Sequence, residues 1–296
     1  MEDMKDWVKA GRISAQALDY GCSLVKEGVS LLGITEKVEE KIEKLGGKCA
    51  FPAQFSVNEI AAHYTASPED KTVFKTGDLV KVDIGVHVNG AIGDNARTID
   101  LGNNKKIVDA SLEALNEAIK IVKEGTKLRE IGKVIEKAVV SQKLKPIKNL
   151  SGHLIERYTE HAGFNVPNFD NKDETELEEG MIIAVEPFAT NGIGMILDGK
   201  KAGIYAVISE GTVRDQITRE VLTFIREEYQ TLPFCKRQLL KYIPEFKVNF
   251  ALRNLTKYDV IREYNHLPEK EKGLVSQAEH TVLVEKNGCK ILTNAE

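Results

Sequence analysis

The sequence predicts an α/β protein of the mixed, α+β kind, in which one αβ unit occurs twice and a small helical subdomain is inserted near the end. Three observations predict it. Around Gly85 a run of alternating valines and isoleucines is folded back by Asn89-Gly90, the mark of an antiparallel hairpin. The helical patterns that open the chain recur at a shift of 97 residues. Between about 212 and 273 the strand-like patterns give way to short amphipathic helices, after which strand resumes.

Composition bounds the function. The 296 residues suffice for one large domain or two ordinary ones, with 42% hydrophobic and 29% charged residues, as in soluble globular proteins. A net charge of −4 speaks against a sequence-specific nucleic-acid binder and against a polybasic membrane protein. Cys22, Cys49, Cys235 and Cys289 form no CxxC pair, so neither a disulfide framework nor a zinc ribbon is expected. The opening stretch Met1–Trp7 is charged and holds no apolar leader core, and no apolar run is long enough to span a bilayer. A cytoplasmic protein is the expectation.

In chain order, residues 3–27 carry Trp7, Val8, Ile13, Ala17, Leu18 and Leu24 at helical spacing, and Gly28 ends that helix. A second helix is expected from near Thr35, as its N-cap, to Gly46-Gly47. Residues 51–66, held between Pro52 and Pro68, read as extended or irregular and carry His63, which alone would more often be structural than functional.

Next comes the central hairpin. Val80, Val82, Ile84, Val86 and Val88 share one face. With Asn89-Gly90 as a two-residue loop, paired positions sum to 179, which sets Asp94 opposite Gly85 and makes Asp83 its diagonal neighbour, at roughly 7–8 Å. Gly85 is expected to leave open space between the two carboxylates. They are either surface aspartates or acids that need protons or cations.

Helices follow over 107–123 and up to about 142. Leu31, Ile34, Val38 and Ile42 fall on Leu128, Ile131, Ile135 and Val139, and His63 falls within one residue of His161. A site between two pseudo-symmetric halves is therefore expected. Ser151-Gly152-His153 and His161-Ala162-Gly163 lie in the second half. Residues 180–185 read as a buried strand ending in Glu186-Pro187; the acid needs a partner, whether a salt bridge or a cation. Thr190–Gly194 is glycine-bearing but lacks the strand–GxGxxG–helix setting of a nucleotide site.

The inserted stretch shows helical patterns at 217–229, 235–242, 247–254 and 257–264. Its slight positive charge, 12 Lys and Arg against 9 Asp and Glu over 214–272, suits a solvated surface. Strand returns at Val275–Val284 with Glu279 in its middle, and Asn287-Gly288 is expected to turn it into a last strand.

Asp83, Asp94, His153, Glu186 and Glu279 are thus the acids and the histidine on strands or strand ends. Four carboxylates carry −4 and two divalent cations +4, so such a set neutralises itself. Oxygen donors with one imidazole suit Mn, Fe, Co or Zn. Two such ions about 3.5–4 Å apart can generate hydroxide and polarise a carbonyl.

The same residues carry a resemblance. Asp78–Asp94 resembles the metal-binding signature of type 2 methionine aminopeptidases: Lys, hydrophobic, Asp, any, Gly, any, His, hydrophobic, Asn-Gly, then Asp. It continues through Ala61–Thr65, Ser151–His153, His161–Gly163, Glu186–Phe188 and Glu279–Thr281, over essentially the whole chain. The 93 positions between Glu186 and Glu279 leave room for the helical insertion that marks type 2, and the chain is most similar to the compact archaeal form.

The resemblance implies a pita-bread fold: a pseudo-twofold pair of αβ units around a curved, mainly antiparallel sheet. Residues 1–212 and 274–296 would form it, with 213–273 as an inserted helical, winged-helix-like subdomain. It implies that Asp83 chelates one metal, that His153 and Glu186 hold the other, and that Asp94 and Glu279 bridge both. A bridging hydroxide would attack the carbonyl of an N-terminal methionine followed by a small residue, Glu186 would move the proton, and His63 and His161 would contact the substrate. Phe51 and Tyr264 would line the methionine pocket. Nascent polypeptides are the implied substrate, the monomer the implied state, and a transient ribosome contact is compatible with it.

Glu160 stands where the family pattern calls for an apolar residue, so it faces either solvent or the pocket edge. The rivals are a proline-specific dipeptidase or aminopeptidase, which shares the ligand set but usually has a large extra N-terminal domain, and a non-catalytic relative that binds RNA or ribosomes.

Overall fold

The computed structural model describes residues 2–294, so Met1 of the opening stretch lies outside it. The helices are α1 (Glu2–Leu24), α2 (Leu31–Lys44), α3 (Lys105–Ile121), α4 (Leu128–Ser141), α5 (Gln216–Glu228), α6 (Lys236–Leu239) and α7 (Glu245–Lys257). In the first half the strands are β1 (Lys48–Cys49), β2 (Gln54–Val57), β3 (Leu79–Val88) and β4 (Ala91–Asp100). In the second they are β5 (Lys145–Pro146), β6 (Ser151–Glu156), β7 (Thr159–Pro167), β8 (Ile182–Val185), β9 (Phe188–Thr190), β13 (Val275–Glu285) and β14 (Gly288–Ile291). A separate small sheet is made by β10 (Lys201–Val207), β11 (Phe234–Cys235) and β12 (Ile261–Asn265), in the order β11-β10-β12.

The main sheet runs β1-β3-β4-β13-β8-β6-β7, and its pairs are antiparallel. The central hairpin has the expected register, from Leu79↔Asp100 to Val88↔Ala91. Val80, Val82, Ile84 and Val86 pack under α1 and α2 with Ile13, Leu18, Ile34 and Val38. In the other half Ile183, Val185, Val282 and Val284 pack under α3 and α4 with Leu115, Ile131 and Ile135. Apolar stripes on four helices thus cover one face of the sheet, which leaves the opposite face for polar side chains.

The internal repeat is real in structure. Helices α2 and α4 start and stop at the same shift of 97 and bury the same four positions. Gly28 and Gly125 both have φ +78°, a left-handed turn that glycine enters without steric cost. Gly28 N–H donates to Phe74 O and Gly125 N–H to Leu177 O, each at 2.8 Å; Leu31 and Leu128 likewise donate to Thr72 O and Thr175 O.

Four local expectations are corrected. The N-cap of α2 is Ser30, extended at φ −70° and ψ 131°, with Oγ accepting from Gly33 N–H. Thr35 lies inside the helix and returns its hydroxyl to Leu31 O at 2.7 Å. Of the helix expected over 257–264, residues 258–264 are not helical: α7 ends at Lys257, and β12 pairs with β10 from Val207↔Ile261 to Lys201↔Asn265. The helix expected at 235–242 is the single turn α6. Glu285 pairs with Gly288, so Lys286-Asn287 makes the last turn and Gly288 opens β14. No helix among the described residues is long and apolar enough to cross a membrane.

Where the chain leaves the inserted region, Glu269 is 1% exposed, and its carboxylate accepts backbone N–H groups from Ile193, Gly194, Glu271 and Gly273. Burial pushes this carboxyl up, but the four N–H groups outweigh it and hold it below its usual value of 4.5. Glu269→Gln turns an amide NH2 toward some of those donors and is expected to cost about 2–4 kcal/mol of stability. A depressed carboxyl stabilises above its unfolded pKa and loses that contribution as pH falls through its folded one. The gap between the two proteins' urea midpoints should therefore be widest at neutral pH and narrow below about pH 4.5.

Candidate metal centre

Five neighbouring strands, β3-β4-β13-β8-β6, bring one residue each, that of β8 just past its end, to the sheet face that the helices leave free. Asp83 of β3 and Glu279 of β13 both pair with Ala96 of β4, so the two acids flank one small residue. Asp94 lies two residues earlier on β4, on the same face. Val185 pairs with His280, so Glu186, the next residue, falls beside Glu279. His153 of β6 pairs with Ala184 of β8. Gly152 lets these strands approach: a Cβ there would lie 2.1 Å from Ala184 O.

All five side chains line one cavity of about 480 Å³, together with Phe51, His63, Glu160, His161 and Tyr264. His153 Nε2 lies 3.6 Å from Glu186 Oε1 and 3.9 Å from Asp94 Oδ2. Single ligand atoms of Asp94, His153 and Glu279 all lie within 4.8 Å of one another. Gln277, two residues before Glu279 on the same face, points Nε2 at Glu186 Oε2 (3.4 Å) and Glu279 Oε2 (3.3 Å).

This cluster is anionic and nearly dry. Asp94 is 3% and Glu279 2% exposed, and Oδ1 of both Asp83 and Asp94 has no hydrogen-bond partner among the described residues. Burial, then the charge of Glu160, pushes the Asp83 carboxyl up to about 7. Burial, then neighbouring carboxylates, pushes Asp94, Glu186 and Glu279 well above their usual range. Burial, then His161, lowers His153 to about 3, so its imidazole is neutral and can ligate. Among the described residues no Lys or Arg pairs with any of the four acids. Four buried carboxylates without cationic side chains, plus a neutral imidazole, are the donor set of hard or borderline divalent cations.

The remaining sites expected from sequence also reach the cavity. His63 has φ +65°; its N–H donates to Gln54 Oε1 at 2.6 Å, and its Nδ1 lies 3.0 Å from Asn265 O. Gln54 itself pairs with Asp83 across β2–β3, which ties His63 to the acid cluster. The His63 and Tyr264 rings meet edge-on at 5.3 Å, and the His153 and His161 rings lie 4.0 Å apart. Gly85 does not leave open space: the Phe51 ring fills it, and a Cβ on Gly85 would lie 2.2 Å from that ring.

Glu160 turns into the cavity, with Oε1 3.3 Å from His161 Nε2. Burial raises its carboxyl, but His161, His153 and His63 together bring it below its usual value. Sequence reading missed Gln277 and Gln54. For Gln277 the signal was there, since a strand places residues i and i−2 on one face.

A sheet with two αβ halves on one face and a buried cage of acids and a histidine on the other defines a metal-dependent hydrolase. The profile of metallopeptidase family M24 matches residues 6–286. A methionine aminopeptidase of Thermococcus onnurineus is 46% identical over 295 residues, 99% of this chain and 100% of that one. In fold the chain resembles the methionine aminopeptidase of Thermotoga maritima, with a TM-score of 0.72 and 24% identity over 99% of this chain and 97% of that one. It also resembles a thermophilic Arx1, at 0.86 and 16% identity over 99% and 90%. The chain belongs to metallopeptidase family M24 and, within it, to the methionine aminopeptidases, hydrolases that use a divalent metal to remove N-terminal methionine. Its sheet is the curled, antiparallel pita-bread half-barrel of that family.

Proposed function

We propose that this enzyme acts on nascent proteins and peptides whose second residue is small, with two divalent cations held by Asp83, Asp94, His153, Glu186 and Glu279. The observation that carries this reading is that five adjacent strands bring four acids and a histidine, Glu186 just past the end of β8, around a single cavity. Asp83, Asp94, His153, Glu186 and Glu279 would hold the ions, with four carboxylates and one neutral imidazole as the donor set. Bound Co, Mn, Fe or Zn supplies an activated water and a polarised scissile carbonyl.

The chain's own residues do the rest. Glu186, its Oε2 steadied by Gln277, takes a proton from the attacking water and returns it to the leaving amine. His161 donates to the carbonyl oxygen as charge builds there, while His63, whose Nδ1–H donates to Asn265 O, contacts the substrate with Nε2, an acceptor in the neutral ring. Phe51 and Tyr264 form an aromatic slot for the unbranched thioether. The protein works as a cytoplasmic monomer, and the inserted subdomain over 213–273 is compatible with a transient ribosome contact.

The test is a chelated preparation given Met-Ala-Ser and an Xaa-Pro peptide. Hydrolysis of Met-Ala-Ser should vanish on chelation and return with Mn or Co, while the Xaa-Pro peptide stays intact. Cleavage of the Xaa-Pro peptide alone would point to a proline-specific enzyme. Cleavage of neither, with metal bound, would point to a binding protein that has lost catalysis.

A further inference from the structure

Glu160 is a fifth carboxylate lining the cavity, outside the five-residue ligand set, although its ligand atom also lies within 4.8 Å of those of His153 and His161. Asp83, Asp94, Glu186 and Glu279 would balance two divalent cations, and Glu160 adds a fifth carboxylate, whose partner is the His161 ring at 3.3 Å. Its side chain is 17% exposed, and its Oε1 faces His161. Its Oε2 makes no hydrogen bond to another described residue. Arg262, the guanidinium lining the same cavity, stacks on Tyr264, with Cζ 4.9 Å from the ring centroid and Nη2 3.4 Å from the hydroxyl. No arginine or lysine forms an ion pair with Glu160 among the described residues.

The cavity is therefore aromatic where Phe51, His63 and Tyr264 line it and acidic where Glu160 does. An apolar side chain that covers a carboxylate strips its water and returns no hydrogen bond. A side chain ending in a cation replaces that water with a charge-assisted bond. Lysine shares the unbranched stem that an aromatic slot accommodates and ends in three N–H donors.

We propose that Glu160 is a specificity-determining residue that lets this enzyme remove N-terminal lysine as well as methionine. The proposal rests on the reading that Phe51 and Tyr264 line the pocket for the first side chain.

The experiment compares kcat/KM for Lys-Ala-Ser, Met-Ala-Ser and norleucine-Ala-Ser in the metal-loaded wild type, Glu160→Gln and Glu160→Leu. The wild type should cleave the lysine peptide. Both variants should lower the lysine-to-norleucine ratio by about 10- to 100-fold, the value of a hydrogen bond to a charged group. A general structural loss would lower all three rates together and leave the ratio unmoved. An unchanged ratio, or a wild type that cleaves Met-Ala-Ser but never Lys-Ala-Ser, overturns the proposal and leaves the methionine reading standing. A wild type that cleaves none of the three overturns both.

Discussion

Glu279→Ala is expected to abolish hydrolysis and to lower the metal content of the purified protein. Glu279 sits mid-strand on β13, 2% exposed, next to Asp94 and Glu186 and across Ala96 from Asp83. Removing it leaves three of the four cavity carboxylates of the proposed ligand set and opens a void beside Asp94 and Glu186. Outer-shell partners of metal sites already cost 10- to 100-fold when mutated, so loss of a proposed ligand should lower kcat/KM by more than about 100-fold. Glu279→Gln keeps the shape and one acceptor oxygen but not the charge, and should also lose metal. The checks are elemental analysis for metal per chain and Met-Ala-Ser hydrolysis with Mn in excess. A Glu279→Ala protein that keeps both metals and full activity would refute the ligand set. An apo wild type should also be the less stable form, because a metal that binds only the folded protein adds its binding free energy to stability.

Much of this centre could be read from the chain because strands have a period of two and hairpins have fixed registers. Asn89-Gly90 sets every pair in β3–β4, and that alone puts Asp83 and Asp94 on one face. The shift of 97 between α2 and α4 was visible because both helices bury the same stripe. What could not be read depends on contacts between distant segments. Phe51 fills the gap at Gly85 from 34 positions away, and no local pattern says which ring will do so. Glu160 stands on an irregular strand pair, where the β6–β7 register shifts between His153 and Leu154. Simple alternation therefore cannot say which way it points. Residues 261–265 alternate too weakly to stand out as a strand, and β12 exists because β10 offers it an edge. The turn at Lys286-Asn287 shows that an Asn-Gly pair marks a hairpin more reliably than it marks the loop positions.

Arg237→Met is expected to cost about 3–5 kcal/mol of stability, more than other single changes outside the metal cage. Arg237, on α6 of the inserted stretch, is 6% exposed, and Glu39 on α2 is 1% exposed. The pair is bidentate, with Nη1 to Oε2 at 2.5 Å and Nη2 to Oε1 at 2.8 Å. The same guanidinium donates to Ala66 O and Thr65 Oγ1 at 3.3 Å. It thus joins three places in the chain: the insertion, the first αβ half, and the segment that presents His63. Removing the cation strands the Glu39 carboxylate in a dry interior and frees two acceptors in the His63 segment. The urea midpoint should fall with little change in slope, and KM for Met-Ala-Ser should rise as His63 loosens. The double variant Glu39→Met/Arg237→Met removes both charges and should regain much of the lost stability. It should not regain the KM, because Thr65 and Ala66 still lack their donor. That split separates the two jobs of one side chain: neutralising Glu39, which apolar packing can replace, and holding the His63 segment, which it cannot.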